Sequence, residues 1–309
     1  MDRVSNEGRH ISQQQMFSAS PRVHFALPSE KLRPFVTTLY LCEYNPADPA
    51  AWIEDYFHPE WANLRIVRQA SWIAPAGAKE LQPSKDFAVS GPTMRASRFR
   101  MGRGSTWGIG LMPLGWAKFI DASAEEFANR FVDGLSEPAF AAFAPLAERL
   151  LAEEGDFASG LALIEEHLLG LLDRPLEHER AILAVNAALV DPGIDTVSQL
   201  AEAAGMGVRT LERMSHRAFG FSPKLLLRRQ RFLRSLAQYM LDPSLKWLGA
   251  IDSHFHDQAH FTREFRFFMG MTPSAYAKLD HPLLGAAARA RAEIAGEAMQ
   301  VLHEPKATR

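Results

Sequence analysis

Residues 211–223, LERMSHRAFGFSP, and residues 261–273, FTREFRFFMGMTP, are one pattern written twice at an offset of fifty. Each copy begins with a hydrophobe, has an arginine two residues on (Arg213, Arg263) and a glycine nine on (Gly220, Gly270), and closes on a hydroxyl residue before proline (Ser222-Pro223, Thr272-Pro273). A fixed offset of this kind marks one supersecondary unit used twice.

Upstream of the first copy, Thr196 and Gln199 form a T-x-x-Q capping box, and Val197, Leu200, Ala201 and Ala204 fall on one helical face. Gly205-Met206-Gly207 breaks that helix, and a new one opens at Val208. A short capped helix, a glycine turn and a second helix bearing arginines is the helix-turn-helix pattern. Downstream, Ser222 at the N-cap and Pro223 at N1 start a long basic helix whose stripe is Phe232, Leu233, Leu236 and Met240. Asp242-Pro243 stops it. Ser244 caps a helix over 245–253, and Asp257 caps the one beginning at Gln258.

Charge is concentrated in the same place. The chain of 309 residues has a net charge of −2, yet between Gly205 and Met240 eight basic side chains are opposed by Glu212 alone. Such a local excess marks an anionic partner.

The front of the chain reads differently. Residues 32–44 (LRPFVTTLYLCEY), 63–67, 70–73, 87–89 and 105–112 are short β-branched or aromatic runs punctuated by Gly and Pro, which predicts a sandwich or small barrel over about 24–118. Trp52, Trp61, Trp72, Trp107 and Trp116 all lie there, as core or as pocket wall. Past Trp116 the period changes to that of helices. Ser123 and Glu126 have the capping-box form. Phe140, Phe143, Ala147 and Leu150 share one helical face, and Leu161, Ile164, Leu168 and Leu171 another, giving an αα-hairpin turned at Gly155. Intramolecular packing and dimerisation both remain open for its stripe. The expected class is therefore α+β. Residues 1–22 read as a disordered leader, 23–175 as a β-rich sensing or oligomerisation domain with a helical hairpin, 177–280 as a DNA-binding domain, and 281–309 as an Ala-rich tail given no structure.

The segments QLAEAAGMGVRTLERM (199–214) with GFSPK (220–224), and HFHDQAHFTREFRFFMGMTPSAY (254–276), resemble the DNA-binding domain of AraC/XylS-type transcription regulators. The resemblance covers about Glu177 to Lys278, and the D-Q-A-H-F-x-R-E-F run at Asp257 to Phe265 is its most specific part. The front part resembles, more loosely, the β-rich and often cupin-like sensing domains of such regulators. The resemblance implies a bacterial, cytoplasmic protein that binds promoter DNA. Each second helix would enter the major groove and the long helix would hold the two units about one turn apart. Activation is the usual mode, RNA polymerase a partner, a small-molecule effector and a homodimer further expectations, and a membrane none.

The side chains suit that use. At the starts of the second helices, Arg209, Thr210, Glu212 and Arg213 in the first unit, and Gln258, Ala259, His260, Thr262 and Arg263 in the second, are the candidate base readers. Leu211 and Phe261 between them are core. Arg217, Lys224, Arg228 and Arg229 are the candidate phosphate contacts. The units are expected to be unequal, because the second has His254 and Gly249 where the first has Gly205 and Leu200, while Ser215 in the first stands where the second has Phe265.

Other chemistries find less footing. Neither a phosphate-cradling G-x-x-x-x-G-K-S/T loop nor a G-x-S-x-G nucleophile elbow occurs. Residues 24–118 contain only His24 and His58, too few for a cupin metal centre. His254, His256 and His260 with Glu264 have metal-ligand spacing, so a metal-binding or catalytic β-domain tethered to a DNA-binding module is the alternative. No catalytic residue, metal or cofactor is assigned. The single cysteine, Cys42, sits on an apolar run and reads as a buried thiol. No apolar run approaches the ~20 residues that span a bilayer.

Overall fold

The computed structural model describes residues 20–152, 155–242 and 257–303. Eight strands form one antiparallel sheet: β1 Arg22–Ala26, β2 Val36–Tyr44, β3 Ile53–Phe57, β4 Asn63–Ile73, β5 Gln82–Pro83, β6 Phe87–Ser90, β7 Ser97–Leu111 and β8 Phe131–Asp133. The order is β1-β2-β7-β4-β6-β8, with β3 also on β7 and β5 also on β4.

The long β7 organises this sheet. Its first third pairs with β3 (Phe57 opposite Ser97, Ile53 opposite Met101), its remainder pairs with β2 (Tyr44 opposite Gly104, Val36 opposite Leu111), and β4 follows its other edge. The strand bends where β2 takes over from β3: Gly104 has φ +137°, and opposite it β4 shifts register between Gln69 and Ser71. A bulge there joins the two short runs expected at 63–67 and 70–73 into one strand. In place of two stacked sheets, the expected sandwich or small barrel is a single bent sheet, since one 15-residue strand serves both halves. The run expected at 32–44 forms its strand only from Val36, with a 3-10 turn at Glu30–Leu32 before it.

Ten α-helices follow among the described residues: α1 Pro113–Phe119, α2 Ala144–Ala152, α3 Phe157–Gly170, α4 Glu179–Val190, α5 Val197–Ala203, α6 Val208–Met214, α7 Pro223–Leu241, α8 Gln258–Met269, α9 Pro273–Tyr276 and α10 Leu284–Ala295. The hairpin stripe packs within the chain. Phe140, Phe143, Ala147 and Leu150 are buried, as are Ile164 and Leu168, and Phe157 stacks on Trp107 at 5.5 Å. Gly160 is needed there, because a Cβ would fall 2.2 Å from the Trp107 ring. Trp61, Trp107 and Trp116 are core, whereas Trp52 and Trp72 are half-buried and meet edge to face at 4.7 Å.

One expectation about helix ends is corrected: Ser123 precedes a 3-10 turn, Ala124–Phe127, and makes no side-chain cap. Ser222 stands at the N-cap of α7 with Pro223 in its first turn, as expected, without a side-chain cap bond. The tail given no structure contains α10 and a 3-10 turn at Gln300–Leu302, both packed on the rest of the fold. Ala288, Met299, Val301 and Leu302 belong to the same hydrophobic core as Leu64, Ile109, Leu226 and Phe265, so the core is continuous from the sheet through the helices to the tail.

Candidate nucleic-acid interface

In the first unit, the capping box at α5 forms as expected: the Gln199 amide donates to Thr196 Oγ1 at 3.2 Å, and the Thr196 amide donates to Gln199 Oε1 at 3.0 Å. The turn to α6 needs Gly205, which has φ +66° with nothing near a would-be Cβ. Conformation rather than space therefore favours glycine there. Leu211 is fully buried on the inner face of α6. Arg209, Thr210 and Arg213 are exposed on the outer one, and Glu212 is half-buried. The helix then widens into a π-helical turn, Ser215–Phe219, that ends on Gly220 at φ +81°. Ser215 is fully buried in this turn.

In the second unit, Asp257 caps α8 by accepting from the His260 amide at 2.6 Å, and this bond holds the Asp257 carboxyl below its ordinary pKa. Gln258, Ala259 and Arg263 are exposed; His260 and Thr262 are half-buried. Phe261 and Phe265 are buried, and Phe268 stacks on Phe232 of α7 at 4.7 Å. Both α6 and α8 thus keep the repeated hydrophobe inside and leave the neighbouring polar residues exposed or half-exposed. His254 and Gly249, on which the inequality of the units was argued, lie outside the described residues.

The four candidate phosphate contacts separate. Arg217 and Lys224 are exposed. Arg228 is engaged by Glu264 through two bonds, Nη2 to Oε1 at 2.7 Å and Nε to Oε2 at 3.0 Å, and lies 4.8 Å from the Phe267 ring. Arg229 is not placed to meet a phosphate. It is fully buried, with its guanidinium 3.8 Å over the Trp61 ring and Nη1 donating to the carbonyls of Thr93 at 3.2 Å and Glu60 at 3.4 Å. The reason is helical periodicity: Arg229 falls on the stripe of Leu226, Leu233, Leu236 and Met240, a signal present in the sequence but overridden by the residue's charge. Burial lowers its pKa to about 9.

The proposed metal ligands do not assemble among the described residues, where no group of three His, Cys, Asp or Glu stands together. His254 and His256 lie outside those residues, and Glu264 is bound to Arg228.

Residues 200–279 match the sequence profile of the family described as a helix-turn-helix domain. This part of the chain is a helix-turn-helix domain. Among curated proteins nothing matches. Among solved structures, the chain is similar to ToxT from Vibrio cholerae (8% identity, TM-score 0.39, 84% of this chain and 98% of that one). It is also similar to an apo lysine-to-alanine variant of ToxT from V. cholerae strain SCE256 (9%, 0.37, 84% and 98%) and to the AraC-like transcriptional activator CuxR (15%, 0.31, 70% and 87%).

The helix-turn-helix domain is docked on the sheet domain. The Ala96 amide donates to Phe268 O at 2.7 Å, Phe219 meets Trp61 edge to face at 5.6 Å, and His216 Nδ1 lies 2.7 Å from Glu125 Oε1. His58 Nε2 and the Tyr276 hydroxyl are hydrogen-bonded at 2.7 Å; burial, the largest influence, brings the His58 pKa down to about 4. Beside it, Asp55 accepts from the amides of Leu283 and Leu284 and contacts His281 Nδ1 at 3.2 Å. Burial opposes ionisation of Asp55, but these bonds outweigh it and its pKa is lowered. No sequence pattern pointed to Glu60, Thr93 or Trp61 as docking partners, because the pairing is made between segments far apart in the chain. No helix among the described residues is long and apolar enough to cross a membrane.

Proposed function

We propose that this protein is a sequence-specific regulator of transcription that reads double-stranded promoter DNA with α6 and α8. The observation that carries the reading is the outward presentation of Arg209, Thr210 and Arg213 on one helix and Gln258, Ala259 and Arg263 on the other, each set around a buried hydrophobe at the same repeat position. Arginine suits guanine and glutamine suits adenine in the major groove. Glu212, His260 and Thr262 complete the base-reading set, and Arg217 and Lys224 supply phosphate contacts that position without specifying. Arg228 would join them only on leaving Glu264.

The sheet domain acts as a sensor that binds a small molecule without turning it over. A ligand shifts the regulator only by preferring one arrangement of the two docked domains. The protein works where its DNA is, in the cytoplasm, with RNA polymerase as a partner and a homodimer as the form that occupies two half-sites. Activation is the mode the AraC-type resemblance implies.

Genome-wide capture of bound sites tests the reading. A discrete shared motif is expected. Uniform, strongly salt-dependent binding with no motif would overturn it.

A further inference from the structure

The two copies of the repeat share their spacing but not their backbone. From Gln258 to Met269 the second copy is one continuous α-helix, whereas in the first α6 gives way at Ser215–Phe219 to a π-helical turn. Such turns are rare and concentrate at functional sites. What lies against the two copies also differs. Gly220, which ends the π-turn at φ +81°, is buried, and a Cβ there would fall 2.5 Å from Pro92 Cγ and 3.1 Å from the Ala124 carbonyl oxygen. Gly270, at the same repeat position with φ +71°, is exposed, and no described residue stands near a would-be Cβ. The end of α6 is therefore seated on the sheet domain by its glycine, and the end of α8 is not.

This seat brings a carboxylate of the sheet domain to α6. Glu125 stands on the 3-10 turn Ala124–Phe127, and its Oε1 lies 2.7 Å from Nδ1 of His216 in the π-turn. An ionised carboxylate only accepts, so Nδ1 donates. The other ring nitrogen, Nε2, lies 3.9 Å from Oε2 of Glu212, one turn back on α6. His216 thus stands between a sheet-domain carboxylate and the one acidic side chain of the base-reading set. The second copy has Thr262 and the exposed Arg266 at these two positions, so the arrangement belongs to the first alone. The turn carrying Glu125 is itself fixed. The Asn129 amide donates to Pro92 O at 2.9 Å, the Met94 amide donates to Asn129 Oδ1 at 2.8 Å, and a Cβ on Gly91 would fall 2.1 Å from Phe127 O. A supporting shell held this way fixes the side chain it touches.

We propose that Glu125 and His216 are positioning residues for base readout: through them the sheet domain sets the orientation of the Glu212 carboxylate, and with it the preference of α6 for the base that Glu212 meets. The acceptor chemistry of Glu212 suits the N4 amino group of cytosine. The sheet domain then tunes which sequence is preferred without touching DNA. Exposure bounds the effect. The side chains of Glu125, His216 and Glu212 are 58%, 37% and 44% exposed, and pairs so exposed shift an equilibrium by no more than about fivefold. That suffices to retune one base position, while joining the domains falls to buried contacts such as Arg229 on Trp61.

This inference rests on the regulator reading and on Glu212 meeting a base. Competition binding of the full chain to a captured operator and to its single-base variants provides the test. Glu212→Ala identifies the position that Glu212 reads. At that position Glu125→Ala is expected to reduce the wild-type preference about two- to fivefold, with preferences elsewhere unchanged. His216→Ala should give the same profile, and Glu125→Gln, which keeps an acceptor for Nδ1, should restore most of the preference. In the Glu212→Ala background, removing Glu125 should change nothing further. A Glu125→Ala profile equal to wild type, a loss spread evenly over all positions, or a Glu212→Ala that alters none would overturn the proposal. A wild-type chain that captures no motif overturns the regulator reading and this inference together, whereas a discrete motif that Glu125→Ala leaves untouched removes this inference alone.

Discussion

Arg229 of the long basic helix stacks 3.8 Å over the ring of Trp61 in the sheet domain. A residue whose charge suits a phosphate instead joins the two domains, and this separates it from its basic neighbours on α7. Each phosphate neutralised contributes roughly −0.9 to the slope of log binding constant against log salt. Arg217→Ala and Lys224→Ala should each weaken binding across all sequences and reduce that slope by about 1. Arg229→Gln should leave the slope unchanged, while raising amide hydrogen exchange at Ala96, whose bond to Phe268 O spans the same contact. A flattened slope in Arg229→Gln would return that residue to the DNA face.

Arg213 and Arg263 occupy the same repeat position and are both exposed. Loss of a bidentate base contact costs about 1–3 kcal/mol. We expect Arg213→Ala to lose more operator affinity than Arg263→Ala, because the first unit lies within the basic excess. Quantitative footprinting on a captured operator measures both, and an equal or larger loss at Arg263 would reverse the ranking.

His58 is buried and neutral, with its pKa lowered to about 4 from 6.5. The unfolded chain then binds more protons than the folded one between those values, so stability rises with pH across that interval, is complete above 6.5, and is lost as pH falls toward 4. Asp55, also lowered, adds a loss of the same sign below 3.8. The His58 limb amounts to at most about 3.5 kcal/mol, from roughly 1.4 kcal/mol per pH unit between 4 and 6.5. Urea unfolding from pH 4 to 7 should show it in the wild type and not in His58→Gln.

Glu264 is largely buried and fastened to Arg228 by two bonds. Arg228 remains about one-third exposed, which screens the pair, so truncation should cost less than a fully buried ion pair would. Glu264→Ala is expected to destabilise the chain by about 1–2 kcal/mol in urea unfolding. The same change frees Arg228 and should steepen the salt dependence of DNA binding by up to one phosphate contact.

Local chemistry carried the sequence reading. Thr196 with Gln199, Gly205 at its turn, Asp257 before Gln258 and the hydrophobes Leu211 and Phe261 act through bonds and periodicities spanning a few residues, so the first helix-turn-helix unit, the capped helix α8 of the second and their exposed side chains were legible from the chain alone. The β-rich front and its helical hairpin were legible from the change of period after Trp116. What only the tertiary structure decided involves partners distant in the chain. The joining of 63–67 and 70–73 depends on β7 running past both. The burial of Arg229 depends on Trp61 and Thr93, and the placement of the tail on β1 and α7. Arg291 shows the difference most plainly: it lies in the Ala-rich stretch that was given no structure, and only the closing of α10 over the sheet makes it a buried cation facing a cavity. Helix caps and stripes are encoded where they act, whereas the desolvation of a charge is a property of everything packed around it.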